Sequence, residues 1–191
     1  MRPDFAAIRA GQRTYAEALG DLDRAGLLAL TNDYYDEIEA LIGGVTDEGA
    51  VAVPHDPALD DQQAGEGAWT LGHVLVHLTA SCDETGALAS ALARGVELPP
   101  GLRLRAETPW ETITTAGQLS ARLTESRRIC LAFLDTWPDA PHLDLTVTMN
   151  PRLGALDAIR LCGMGFSHAD SHLEQLREIM RQLRERGMAG G

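Results

Sequence analysis

The sequence predicts an all-α protein that folds as a four-helix bundle with long crossover connections. Hydrophobic residues make up 45% of the 191 residues, aromatic residues make up only 5%, and alanine and leucine are abundant. This composition favours packed helices over a β-sandwich, which uses more β-branched and aromatic residues. Four long segments also carry apolar side chains on one helical face each, and a bundle buries four such faces together. We expect residues 1–191 to form a single domain.

The first third of the chain is predicted to contain one long helix. Residues 1–20 have weak helical character that two glycines interrupt. Residues 21–42 place apolar side chains three and four positions apart, and a Gly-Gly pair ends the predicted helix. Residues 45–68 are rich in proline, aspartate and glycine, which is typical of a long loop.

The middle of the chain predicts two more helices. The second helix should begin after Thr70, a plausible N-cap, and run to about Arg94, before a Pro-Pro-Gly sequence. The third should cover residues 116–136, where apolar side chains again recur at helical spacing. The connections between the helices are long enough to cross the bundle, so simple up-down-up-down wiring is not expected.

The connection before the last helix has a different pattern. Residues 143–149 alternate between apolar and polar side chains, which is typical of a strand, and residues 102–104 alternate similarly. We expect these two segments to pair as a small β ribbon in the loops. The last helix is predicted to open at Asn150-Pro151, a cap followed by a first-turn proline, and to end near residue 187.

Charge and cysteine content narrow the possible functions. The formal net charge is −12, which disfavours nucleic acid and anionic membranes as partners. All 16 basic residues are arginines, so lysine-based chemistry is excluded. No apolar segment is long enough to span a bilayer and none resembles a signal peptide. The three cysteines, Cys82, Cys130 and Cys162, lie in helical patterns, and we expect buried free thiols in a cytoplasmic protein.

Two histidines stand on the apolar face of the last helix. His168 and His172 are four residues apart, so their side chains project side by side from one helical face. Buried imidazoles need hydrogen-bond partners or a metal ion. The spacing is compatible either with two metal ligands or with two core histidines that bond to carbonyls or hydroxyls. The residue after His168 is alanine, so the zinc-protease signature is absent.

The second helix supplies a third candidate ligand. His77 shares a face with apolar residues, whereas His73 lies in the first turn, where we expect it near solvent. Three convergent histidines would form a metal site. His55 and His142 fall in predicted loops and are interpreted as solvated side chains.

These histidines belong to two segments that together resemble one family. The segment Ala68-Trp69-Thr70-Leu71-Gly72-His73-Val74-Leu75-Val76-His77-Leu78 is similar to the second-helix motif of the DinB/YfiT-like superfamily. The segment His168-Ala-Asp-Ser-His172-Leu-Glu-Gln175 is similar to its last-helix motif. Both occur in the right order on the right helices, and the layout fits nearly the whole chain.

The resemblance implies a crossed four-helix bundle and a divalent metal ion held by His77, His168 and His172. Nickel and zinc both suit imidazole ligands, so either is expected. It implies that His73 is not a ligand. Many relatives carry an acidic residue three positions after the second-helix histidine, where this chain has Ala80. A replacement for that carboxylate would have to come from elsewhere, for example from Ser81, Glu84 or Asp170.

The resemblance also implies candidate activities. Three neutral histidines leave metal positions open for water or substrate, as in reactive sites. We therefore expect a metal-dependent enzyme that transfers a low-molecular-weight thiol such as bacillithiol or mycothiol, or hydrolyses a small substrate. Homodimerisation is common among such proteins. The candidate pocket residues are Asn32, Tyr34, Tyr35 and Ser81, although each could simply be a packing residue.

Two other interpretations stay open. In the first, the chain is a non-catalytic metal-binding or stress-response helical bundle. In the second, it is a metal-free dimerising bundle whose core histidines are satisfied by hydrogen bonds. An open cavity beside the histidines would favour the enzyme, whereas a fourth protein ligand would indicate a structural site.

Overall fold

The computed structural model describes residues 2–54 and 69–190, and this part of the chain is mostly helical. It contains no strand, so the all-α prediction is confirmed. The helices of the described part are α1 (Phe5–Arg9), α2 (Tyr15–Leu19), α3 (Arg24–Ile42), α4 (Asp47–Val51), α5 (Leu71–Ala93), α6 (Ala116–Asp135) and α7 (Ala158–Glu185).

The four long helices, α3, α5, α6 and α7, form the bundle. Helix α5 packs against α6 and α7, and α3 packs against the same two helices. Helices α3 and α5 are therefore diagonal partners, and so are α6 and α7. The first and third long connections each join two diagonal helices, in agreement with the predicted crossover wiring. The short helices α1 and α2 lie on α7, and α4 lies on α5 and α6.

Each long helix begins at a residue whose side chain accepts a hydrogen bond from a first-turn amide. These N-caps are Asp23, Thr70, Thr115 and Asp157. An N-cap of this kind contributes about 1 kcal/mol to helix stability. The cap at Thr70 is the one predicted from the sequence, and it fixes where the helix that carries His77 starts.

The prediction of a long loop over residues 45–68 is partly wrong. Thr46 caps the short helix α4, because its side chain accepts a hydrogen bond from the amide of Gly49. A five-residue helix is too short to produce a clear apolar period in the sequence. Residues 55–68, including His55, lie outside the described residues.

The predicted start of the last helix is also wrong. Asn150 does cap a turn, but the turn is a single 3-10 turn over Pro151–Leu153. Gly154 then adopts a φ of 72°, and Leu156 pairs with Val147 in an isolated antiparallel bridge. Helix α7 can begin only after this extended segment, at Ala158.

The predicted β ribbon does not form. The amide of Gly101 donates to the carbonyl of Thr148 at 3.1 Å, but no ladder follows within the described residues. The amides of Leu104 and Arg105 instead donate to the buried carboxylate of Glu84, at 2.6 and 2.9 Å. These two backbone donors are therefore used by a side chain rather than by a partner strand.

The core lies between the four long helices. Cys82, Cys130 and Cys162 are buried free thiols there, as predicted. None of the described helices combines the length and the apolar character needed to cross a bilayer. The largest fully buried side chains are Tyr34, Tyr35, Phe5, Leu27, Ile38, Leu71, Leu75, Leu78, Leu88, Leu92, Leu119 and Leu156.

Candidate metal centre

Helix α5 carries His77 at a position fixed by its first turn. The Thr70 hydroxyl accepts a hydrogen bond from the amide of His73 at 3.2 Å. Trp69, immediately before this cap, packs its indole on the His73 ring, with 4.1 Å between ring centroids and 18° between planes. The same indole meets the His77 ring edge-on at 4.8 Å. The start of α5 therefore defines the orientation of both histidines.

Helix α7 approaches α5 closely because Gly165 has no side chain. A Cβ atom at this position would lie 2.1 Å from the Thr85 hydroxyl oxygen and 3.5 Å from the Cα of Cys82. His168 and His172 follow Gly165 by one and two turns, on the same face of α7. The close approach brings both imidazoles within reach of His77.

The three predicted histidines come together between α5 and α7. Nε2 of His168 lies 3.2 Å from Nε2 of His77 and 3.3 Å from Nε2 of His172. One nitrogen from each ring lies within 4.8 Å of the others, so the group could hold a metal ion. Among the described residues, no fourth cysteine, histidine or carboxylate joins this group.

Burial keeps these imidazoles neutral. Removal from solvent lowers the pKa of His77 to about 3, and the neighbouring Arg105 guanidinium acts in the same direction. Burial likewise lowers the pKa of His168 to about 3, with further contributions from His172 and His77. The pKa of His172 is lowered by burial and partly restored by its hydrogen bond to Gln175. Neutral imidazoles are the form that binds metals.

The second nitrogens of two of the rings have partners that orient them. Nδ1 of His172 lies 2.7 Å from Oε1 of Gln175, which is buried one turn later on α7. Nδ1 of His77 lies 2.6 Å from Nη2 of Arg105 and 3.2 Å from Oε1 of Glu107. Donation of Nδ1–H to an acceptor such as Oε1 of Gln175 fixes the tautomer and the ring orientation of a metal-binding histidine.

His168 differs from the other two rings. Its Nδ1 is buried and has no hydrogen-bond partner among the described residues. Its Nε2 faces the Nε2 atoms of both other rings and can form one N–H···N bond, so hydrogen bonds alone leave this group of nitrogens poorly satisfied. The interpretation as satisfied core histidines therefore fits this site less well than a cation-binding site does.

His73 is not exposed, contrary to the prediction. Its ring is buried and packs between the indoles of Trp69 and Trp110, with the Trp110 centroid at 4.8 Å and the planes 8° apart. It is not one of the three converging histidines, as the resemblance implied. The aromatic residue before α5 and the one in the loop after it jointly hold this ring.

Two cavities reach the three-histidine group, one at His77 and the other at His168. The larger, of about 590 Å³, is lined by His77, Arg105 and Glu107 together with the aromatic stack of Trp69, His73 and Trp110. The smaller, of about 300 Å³, reaches His168 and is lined also by Ser81, Arg103 and Arg105. Arg105 thus stands between the two cavities.

Arg105 and Glu107 were not predicted from the sequence as residues of the site. Both lie in the loop between α5 and α6, where no periodic pattern marks them, and only the folded loop brings them to His77. The three substitutes considered for the absent carboxylate at Ala80 have other contacts. Glu84 holds the loop, Asp170 accepts from Tyr34 and Arg9, and Ser81 lines the smaller cavity.

The structure places three predicted pocket residues away from the two cavities. The Tyr34 hydroxyl donates to Asp170 at 2.8 Å, and the Tyr35 hydroxyl contacts Ser126 at 2.7 Å in the α3–α6 interface. Asn32 donates to the carbonyl of Leu28 and accepts from Arg127. These residues use their polar groups to connect helices, and of the four candidates Ser81 alone lines one of these two cavities.

The chain matches the model of a known protein family. The family model of the DinB superfamily matches residues 9–176, which is most of the chain and includes all three histidines. No curated protein and no solved structure matches the chain significantly.

Proposed function

The chain belongs to the DinB superfamily, and we propose that it is a metal-dependent enzyme whose divalent ion is held by His77, His168 and His172. The observation that supports this proposal is the convergence of three neutral imidazole nitrogens between α5 and α7. Imidazole suits nickel and zinc, and intrinsic affinity alone does not choose between them.

The surroundings of the three histidines favour a reactive site over a structural one. A structural zinc site is closed by four protein ligands, whereas a catalytic site uses three and leaves room for water or substrate. Here the described residues supply three ligand groups. The two adjoining cavities would give small molecules access from either side of Arg105.

The proposed reaction is transfer of a low-molecular-weight thiol to an electrophile, or hydrolysis of a small substrate. A divalent ion at this position would lower the pKa of a thiol or water and so supply the nucleophile. Arg103 and Arg105 line the smaller cavity of a chain whose net charge is −12. Because Arg103 pairs with Glu84 and Arg105 pairs with Glu107, this lining is polar rather than strongly cationic, which supports a polar low-molecular-weight thiol as the co-substrate.

The test is an activity screen on protein stripped with a chelator and then loaded with nickel or zinc. Mycothiol and bacillithiol are offered with monochlorobimane, whose conjugate is fluorescent, and a parallel panel contains small esters and amides. We expect the loaded wild type to accelerate one of these reactions and His168→Ala to lose the acceleration. His142→Ala, which changes an exposed loop histidine, should keep it.

A loaded wild type that is no faster than the His168→Ala variant with every substrate would contradict the enzymatic proposal. Tight metal binding in that case would favour the alternative of a non-catalytic metal-binding protein.

A further inference from the structure

Two groups of opposite hydrogen-bonding character compete for one nitrogen of His77. Nη2 of Arg105 lies 2.6 Å from Nδ1, and Oε1 of Glu107 lies 3.2 Å from the same atom. A guanidinium can only donate, and a carboxylate can only accept. Because a neutral imidazole carries one N–H, the contact with Arg105 requires the hydrogen on Nε2, whereas the contact with Glu107 requires it on Nδ1.

The choice between these tautomers decides whether His77 can bind a metal ion. When Nδ1 accepts from Arg105, Nε2 carries the hydrogen and points at Nε2 of His168, 3.2 Å away. A protonated nitrogen has no lone pair to offer. When Nδ1 donates to Glu107, the lone pair of Nε2 faces the other two histidines and is available.

We propose that Arg105 and Glu107 select the tautomer of His77, with Arg105 favouring the metal-free state and Glu107 positioning the ring for the metal ion. This inference rests on the proposed function, because it concerns the same three-histidine site. Because Arg105 is the nearer of the two groups to Nδ1, we assign the Nε2–H tautomer to the metal-free protein. Metal binding transfers the Nδ1 contact from Arg105 to Glu107.

The two competing groups can exchange without a large movement. Arg105 forms an ion pair with Glu107 and also donates to the carbonyl of His77 at 3.2 Å. The two side chains are therefore already in contact with each other, and Arg105 also contacts the α5 backbone. A small rotation of the imidazole or of either side chain changes which group bonds to Nδ1.

The loop that carries this pair is fixed to α5. Glu84 lies two turns after His77 and is 6% exposed. Its carboxylate accepts from the amides of Leu104 and Arg105, and from Nε and Nη2 of Arg103 at 3.0 Å each. Because one buried carboxylate holds the loop from both its backbone and a side chain, Arg105 and Glu107 are held next to His77.

The first test reads the tautomer directly. Long-range ¹H–¹⁵N correlation spectra distinguish the protonated from the unprotonated ring nitrogen, and His77→Gln assigns the signals. We expect His77 to be the Nε2–H tautomer in metal-free wild type and the Nδ1–H tautomer in metal-free Arg105→Met. Zinc-loaded wild type should also show Nδ1–H. An unchanged tautomer in Arg105→Met would overturn the proposal.

The second test measures zinc affinity by competition with a chromophoric chelator. Loss of a carboxylate that orients a metal-binding histidine typically weakens affinity by about 10- to 100-fold, and we expect this for Glu107→Ala. Arg105→Met should bind zinc at least as tightly as wild type. Glu97→Ala, which removes an exposed glutamate from the same interhelical loop, should match wild type.

These outcomes separate the inference from the proposed function. Wild type that binds no zinc would refute the metal site, and the spectra of the metal-free proteins would still decide the role of Arg105. If Glu107→Ala binds zinc as tightly as wild type does, the positioning role of Glu107 is refuted and the metal site stands.

Discussion

At the scale of single residues, Gln175 controls the orientation of His172. Its Oε1 lies 2.7 Å from Nδ1 of His172, and both side chains are buried. We predict that Gln175→Ala weakens zinc affinity by about 10- to 100-fold, because the ring loses the hydrogen bond that directs Nε2 at the site. Competition with a chromophoric chelator measures the change.

Gln182 provides the matched control for this prediction. It is another buried glutamine on α7, two turns further on, and among the described residues it bonds to Glu178 and Arg186. Gln182→Ala should therefore leave the zinc affinity unchanged. Equal losses of affinity in the two variants would show that Gln175 acts through helix stability alone.

The buried histidines also predict an acid-sensitive fold for the metal-free protein. The pKa of His77 and that of His168 are lowered from 6.5 to about 3 by burial. Below pH 6.5 the unfolded chain binds protons that the folded chain does not, so the free energy of unfolding must fall as the pH decreases. The part of the free energy of unfolding that depends on these two neutral histidines is present in full above pH 6.5. It decreases as the pH falls toward 3.

Chemical denaturation between pH 6.5 and about pH 5.5, above the usual titration range of carboxyl groups, reports mainly the histidine contribution. As the pH is lowered, the free energy of unfolding should decrease less in His168→Ala than in wild type. In His142→Ala it should decrease as much as in wild type. Identical pH profiles for wild type and His168→Ala would contradict the lowered pKa of His168.

The sequence predicted the three converging histidines but not the residues around them. Helical spacing places His168 and His172 on one face, and the family motif identifies His77. Arg105 and Glu107 act from a loop whose position depends on the buried carboxylate of Glu84, which no local pattern reveals. A side chain that acts across a loop is recognisable only after folding.

At the scale of helices, Gly165 sets the distance between α5 and α7. A Cβ atom there would meet the Thr85 hydroxyl at 2.1 Å and the Thr85 Cβ at 3.2 Å. Rotation of the Thr85 side chain relieves the first contact but not the second. We predict that Gly165→Ala destabilises the protein by about 1–3 kcal/mol, as overpacked cores do, and weakens zinc binding by separating the two histidine-bearing helices.

Gly117→Ala is the control, because Gly117 lies near the start of α6 with no close contact beyond the Thr115 hydroxyl at 3.9 Å. Alanine should stabilise that helix by up to about 1 kcal/mol through its higher helix propensity. Denaturant unfolding measures both variants. A Gly165→Ala protein as stable as Gly117→Ala would show that the two helices can separate without cost.

The helix boundaries show where sequence patterns succeed. Thr70 and Thr115 lie directly before apolar periodic segments, so the starts of α5 and α6 could be predicted. Asn150 carries the same type of signal but caps only one 3-10 turn, because Gly154 and the Val147–Leu156 bridge interrupt the helix. A capping residue in the sequence therefore does not show whether the helix that follows it continues beyond one turn.

At the scale of the whole molecule, the bundle follows from four apolar helical faces and long connections. Both features are visible in the sequence, so the architecture could be predicted. The α5–α7 pair could be predicted from the histidine motifs, but the other neighbours could not, because the arrangement depends on how the helical faces fit together. This diagonal wiring places α5 beside α7 and so brings their histidines together.

Metal binding between α5 and α7 should stabilise the entire bundle. An ion that binds only the folded state adds about 2.7 kcal/mol to the free energy of unfolding when its concentration is 100 times its Kd. The link between the two helices is therefore measurable as a rise in Tm that depends on the three histidines.

The most direct test of the account is the metal content of the purified, tag-free protein after incubation with nickel or zinc, measured by mass spectrometry. We predict about one divalent ion per chain in wild type, as expected for one three-histidine site. His172→Ala should lose it and His142→Ala should keep it. Wild type without metal, or His172→Ala with the wild-type amount, would contradict the proposed metal centre.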